Sequence, residues 1–258
     1  MEETTATATT TSTAATPTAS IIIKGNGFEI ESSLQDIVNN AEMQQVIRDE
    51  DFCPYEINIE DCALDAEHAN LITSIVSSFG YNDFGYFELY WNRCIMKDPS
   101  ALHLVLEGLR TMPQLVVNRI DFNQNTSVSE ECIAPIVHHA RHNEFLATLS
   151  FALGSILSEK QVRHVASILE SSDTLESLYL DTTLTTMAQV VDIFTPVLRK
   201  NYGLSSLTIT HRGEEDVFDS SFPKEDDAEH QTLIALIKMP REQRKEMVQR
   251  NRAAREES

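Results

Sequence analysis

The stretch "DTLESLYLD", residues 173–181, decides how the chain is read. Leu175, Leu178 and Leu180 make an apolar triplet in the pattern L-x-x-L-x-L. Upstream, "NEFLATLSF" at 143–151 holds the same pattern in Leu146, Leu149 and Phe151. Downstream, "NYGLSSLTI" at 201–209 holds it in Leu204, Leu207 and Ile209. Leu146, Leu175 and Leu204 are evenly spaced, and so are the other two columns. Self-similarity at a fixed interval of 20–50 residues marks a chain built from stacked copies of one supersecondary unit.

The register extends toward the N-terminus. Val117, Ile120 and Phe122 stand one equal interval before the Leu146 triplet. Tyr86, Leu89 and Trp91 precede them, and Pro54, Ile57 and Ile59 come first, each step slightly longer than the last. Six copies therefore run from 54 to about 210. A small or polar column follows each of the first five triplets: Cys62, Cys94, Asn125, Gly154 and Thr183. A side chain of that kind can hydrogen-bond the backbone as it turns out of a strand. Helical spacing comes next. Leu157, Val165, Leu169 and Leu175 repeat the offsets of Val128, Ile136, Ala140 and Leu146. Offsets of 8 and 12 keep residues on one helical face. Ser129 and Ser158, each followed by acid, read as helix N-caps.

Strand, polar turn and helix in one such interval resemble the ribonuclease-inhibitor-like type of leucine-rich repeat, a subclass that includes Ran GTPase-activating proteins. The resemblance implies an α/β leucine-rich repeat solenoid. It would be a short horseshoe, with parallel strands on its concave face and helices on its convex face. One unit cannot bury its apolar side alone, whereas stacked neighbours share a core and need covered ends.

The expected organisation has five parts. Residues 1–19 are a disordered Thr/Ala-rich tail with neither the basic start of a signal peptide nor the arginines of a transit peptide. Residues 20–53 are an N-terminal cap or degenerate repeat, and 54–211 are the repeats. Residues 212–229, with eight acids against Arg212 and Lys224, read as an acidic linker. Residues 230–258 read as a basic helical tail, either separable or docked through Leu233, Leu236 and Ile237 as a C-terminal cap.

Composition narrows the function classes. The net charge is −20, which disfavours nucleic acid and anionic membrane as partners. No apolar run approaches the ~20 residues of a membrane span. Four scattered cysteines (Cys53, Cys62, Cys94, Cys132) read as reduced, buried thiols of a cytoplasmic or nuclear protein. His138, His139 and His142 form the one cluster suggestive of metal, but no third ligand stands at helical spacing, so no metal or cofactor is expected. No catalytic motif is present.

The remaining candidate is the exposed side of the strands. Alternation places Glu56, Asn58 and Glu60, with Asp61, then Glu88, Tyr90 and Asn92, Asp121 and Asn123, and Tyr179 and Asp181 on the concave face. Trp91, by the same register, points inward. The expectation is a monomeric, non-catalytic interaction module that binds a protein of basic or mixed charge on this face. The alternative, drawn from the resemblance, is a regulator of a small GTPase. An F-box adaptor reading lacks its leading motif.

Overall fold

The computed structural model describes residues 19–25, 28–49, 54–79, 86–112, 116–125, 127–152, 154–213, 215–221 and 227–256. It is α/β, with one large and mostly parallel sheet and no closed barrel. The chain begins with a hairpin, β1 (Ser20–Gly25) and β2 (Phe28–Ser33), and two short helices, α1 (Leu34–Asn39) and α2 (Ala41–Arg48). Strand β3 (Pro54–Glu60), the two-residue β4 (Ala63–Leu64) and helix α3 (Ala66–Ser77) follow. The sequence strand, short strand, helix recurs as β5 (Phe87–Asn92), β6 (Ile95–Met96), α4 (Pro99–Thr111), then β7 (Val117–Asn123), β8 (Ser127–Val128), α5 (Glu130–His142). The fourth unit has β9 (Thr148–Ala152), α6 (Glu159–Ala166) and a 3-10 turn at Ser167–Glu170. The fifth has β10 (Ser177–Thr182) and α7 (Met187–Leu198). The chain closes with β11 (Ser206–His211), β12 (Glu215–Asp219), α8 (Ala228–Lys238) and α9 (Arg241–Glu256).

The large sheet has the order β12-β11-β10-β9-β7-β5-β3-β1-β2. The six strands from β3 to β11 run parallel, and β1, β2 and β12 add antiparallel pairs at the two ends. Parallel neighbours added always in the same direction need crossovers on one side, because such crossovers are right-handed. The helices accordingly pack in chain order, α3 on α4, α4 on α5, and on to α7 against α8. One face of the sheet is covered by this layer, and among the described residues the other is open.

The apolar columns of the sequence are the ladder of the sheet. Ile57, Leu89, Ile120, Leu149, Leu178 and Leu207 are register partners in succession, as are Ile59, Trp91, Phe122, Phe151, Leu180 and Ile209. All twelve are buried under the helices. Phe122 and Phe151 stack with ring centroids 4.7 Å apart. The helices form where they do because each of α1 to α8 starts on a Ser, Thr, Asn or Asp whose side chain accepts a first-turn amide. Ser158 and Thr186 form full capping boxes with Gln161 and Gln189.

Four expectations are corrected. Tyr86 is not in the inward column: it is exposed, and Phe87 is buried and pairs with Val117, because the register shifts between Phe87 and Glu88. The polar column holds at Asn125, whose Oδ1 accepts from Cys94 N at 2.7 Å and whose Nδ2 donates to Trp91 O at 3.2 Å. It slips in the next two units. There Ser155 accepts from Asn125 N at 3.0 Å, and Thr182 donates to Thr210 O at 3.1 Å and accepts from Leu184 N. Gly154, at φ 96°, makes the sharp turn that moves the role on by one residue.

The third correction concerns 212–229, which is not a plain acidic linker. Within it β12 pairs with β11 and buries Phe218, since alternating Val217 and Phe218 flanked by acids suit a sheet edge. The fourth concerns 230–258, which is not separable from the core along its whole length. In α8, Leu233, Ile234 and Ile237 are buried against the end of the sheet and α7, which is the capping alternative. Residues 1–18 and Cys53 lie outside the described residues; Ala19 is buried and accepts from Leu34 N at 3.3 Å.

Candidate interaction surface on the open sheet face

The open face carries three clusters of paired polar side chains across β1, β3, β5 and β7. Lys24 Nζ donates to Glu56 Oε1 at 2.7 Å. Asn92 donates to Asn58 Oδ1 at 2.7 Å, and Asn58 to Glu60 Oε1 at 2.6 Å. Arg93 reaches Glu60 Oε2 at 2.6 Å and Asp61 Oδ1 at 2.9 Å. Tyr90 donates its hydroxyl proton to Glu88. Arg119 grips Asp121 Oδ2 through Nη2 at 2.8 Å and Nε at 3.0 Å, and its guanidinium lies 5.7 Å from the centre of the Tyr90 ring.

The electrostatics follow from these pairs. The Arg93 guanidinium holds the Asp61 carboxyl below the usual carboxylate range. Burial, then the hydrogen bond to Glu88, pushes the Tyr90 phenol up, so it stays a neutral donor. Burial also pushes the Asp121 carboxyl up, against the pull of Arg119. Asp121 is only 3% exposed, and its Oδ1 has no hydrogen-bond partner.

The sequence-predicted residues therefore divide. Glu56, Asn58, Glu60, Asp61, Glu88, Tyr90, Asn92, Asn123 and Tyr179 lie partly exposed, and the first seven of them belong to these clusters. Asp121 and Asp181 are buried and offer no free contact surface. Asp121 lies under the Arg119 side chain. Asp181 is a structural tie between neighbouring turns. Its Oδ2 accepts from Gly154 N at 2.9 Å, and its Oδ1 from Gly213 N at 2.7 Å and Thr210 Oγ1 at 3.3 Å.

Sequence reasoning missed two of the cations, Lys24 and Arg93. With Arg119, which strand alternation does place on this face, they neutralise much of what reads as an acidic face. The signal was present for Arg93, which follows Asp61 at the same interval that stacks Leu89 on Ile57. Both residues leave their strands in the left-handed region, at φ 53° and 55°, which aims their side chains together.

The other candidates reduce to packing. His138 and His142 are exposed on α5, with ring centroids 4.3 Å apart, but His139 is buried and bonded to Leu106 O at 3.1 Å. Among the described residues no group of three His, Cys, Asp or Glu is placed to hold a metal ion. Cys62, Cys94 and Cys132 are buried free thiols, and burial pushes the first two up to about 12. Trp91 is wholly buried. No helix among the described residues is long and apolar enough to cross a membrane. No family model matches the sequence, and no curated protein matches it.

Proposed function

We propose that the chain is a leucine-rich repeat solenoid of the ribonuclease-inhibitor-like type and serves as a non-catalytic protein-binding module, with its partner seated on the open face of the sheet. The observation that carries this reading is the run of polar clusters from Lys24 to Asp121. Together they span four neighbouring strands, their side chains are held by hydrogen bonds, and among the described residues no helix covers them. A surface whose side chains are already held loses little freedom on binding, so more of each contact appears as affinity. Tyr90 stands at its centre, with an apolar ring backed by Arg119 and a hydroxyl oxygen that still has acceptor capacity. Tyrosine and arginine are the residues that most often anchor protein interfaces.

The partner this face suits has basic or mixed charge. The N-terminal half presents the carboxylates of Glu29, Glu31, Glu56, Glu60, Asp61 and Glu88, and Lys24, Arg93 and Arg119 offset only part of them. Site-specific photo-crosslinking tests the assignment. A photoreactive side chain at position 90 or 179 is expected to capture a protein partner in cells, and one at Glu131 or His164 on the helix layer is not. Adducts from the helix layer alone would move the interface to the helices, and adducts from neither face would remove the interaction reading.

A further inference from the structure

Pro240 separates α8 from α9, and the junction turns back over the loops that lead into β10 and β11. A cleft of about 460 Å³ lies there, lined in part by Tyr202, Ser205, Lys238, Arg241 and Arg244, with Glu176 as the acidic residue among its described lining and the Asp173 carboxylate behind Tyr202. Arg244 is 4% exposed. Its Nη1 donates to Leu204 O, and its Nη2 to Ile237 O and, at 2.9 Å, to Met239 O. These acceptors are neutral carbonyls, and Nε has no partner. Among the described residues no carboxylate lies within ion-pair distance of Lys238, Arg241 or Arg244. A guanidinium taken out of water without a counter-charge is an unfavourable arrangement on its own.

Two further features add positive potential. Arg241 and Arg244 belong to the first turn of α9, a 16-residue helix whose N-terminal end carries partial positive charge. Arg241 is held 5.8 Å above the Tyr202 ring and reaches only the Asp173 carbonyl, at 3.5 Å. In a chain of net charge −20 this is a local concentration of cations around a buried, uncompensated arginine.

We propose that this cleft is an anion site that takes a phosphoryl group, with Arg241 and Arg244 as the hydrogen-bonding donors and Lys238 as the third cation. A dianion with three acceptor oxygens matches convergent arginines better than a single carboxylate does. Glu176 at the rim disfavours the anion and sets a weak baseline affinity. The site is separate from the open sheet face and does not depend on the function proposed for it.

The test uses the full chain, thermal unfolding and inorganic phosphate. Phosphate is expected to raise the midpoint saturably, whereas sodium chloride at equal ionic strength does not. Arg241 is exposed, so Arg241→Gln folds, and it is expected to weaken phosphate binding about tenfold or more, the usual effect of losing a hydrogen bond to a charged group. Glu176→Gln is expected to tighten it. A phosphoserine peptide that binds tighter than phosphate, with its unphosphorylated parent inactive, assigns the group to a phosphorylated protein segment; equal affinity assigns it to a small phosphorylated ligand. Coincident phosphate and chloride curves overturn the proposal, as does an Arg241→Gln variant that binds phosphate like the wild type.

Discussion

His139 is buried on α5 against α4, with Nδ1 on the Leu106 carbonyl and Nε2 3.2 Å from Asn143 Nδ2. That pairing fixes one tautomer: Nδ1 donates to the carbonyl and Nε2 accepts from the amide. Burial pushes the imidazole down to about 4, so the folded protein keeps it neutral where the unfolded chain, near 6.5, does not. As pH falls through 6.5 the unfolded state takes the proton first. The stabilisation is complete above about 6.5 and is lost progressively down to about 4, up to about 3 kcal/mol. Urea unfolding at a series of pH values is expected to show this slope in the wild type, and His139→Gln is expected to flatten it between 4 and 6.5. The ladder residue Leu178 makes a second test at this scale, since it is wholly buried between Leu149 and Leu207. Leu178→Ala is expected to cost about 2–5 kcal/mol, read as a lowered denaturant midpoint with an unchanged slope. A loss below half a kcal/mol would mean the side chain is not packed as described.

At the scale of elements, the ends of the sheet carry the most information. The hairpin of β1 and β2 pairs with β3 and places Ile21 and Ile23 in the core, so the first parallel strand has no bare edge. At the other end β12 occupies the edge of β11, and α8 lays Leu233, Ile234 and Ile237 on the apolar side. The His230 ring lies 4.8 Å from the Phe218 ring, which joins helix to strand. Truncation after residue 227 uncovers this surface. The shortened chain is expected to aggregate and to lose more helical circular dichroism than α8 and α9 account for. A soluble truncated chain with full residual helicity would show instead that the helices are dispensable.

At the scale of the whole molecule, the distribution of charge decides which substitutions can test the binding proposed for the open face. Because Asp121 is buried against Arg119, reversing its charge would damage the fold and say little about binding. Glu29 is exposed and Glu88 partly so, which makes them the useful pair. Once the photo-crosslinked partner is known, Glu29→Lys with Glu88→Lys is expected to weaken its binding by about tenfold or more, mainly through slower association at low salt. The matched reversal of Glu131 and Glu144, away from the open face, is expected to leave it unchanged. The difference should shrink above ~0.15 M salt, where screening acts within about 8 Å. Equal effects of the two double variants would rule out a specific role for the open face.

The two inner apolar columns of the six units by themselves determined the parallel ladder, because a near-constant interval brings the same column of each unit into register and burial under the helices rewards one register alone. Ser129 and Ser158 likewise marked where α5 and α6 begin, since capping is a local hydrogen bond between a side chain and amides two or three residues on. Only the tertiary structure decided which polar strand residues are free. Asp121 and Asp181 have the same alternation as Tyr90 and Tyr179, yet one is covered by Arg119 and the other is used up by the amides of Gly154 and Gly213. Their partners come from other turns or from a neighbouring side chain's rotamer, and neither is a property of strand periodicity. The same holds for Phe218 and Leu233: their burial depends on the open edge and apolar surface that the last repeat leaves for them to cover.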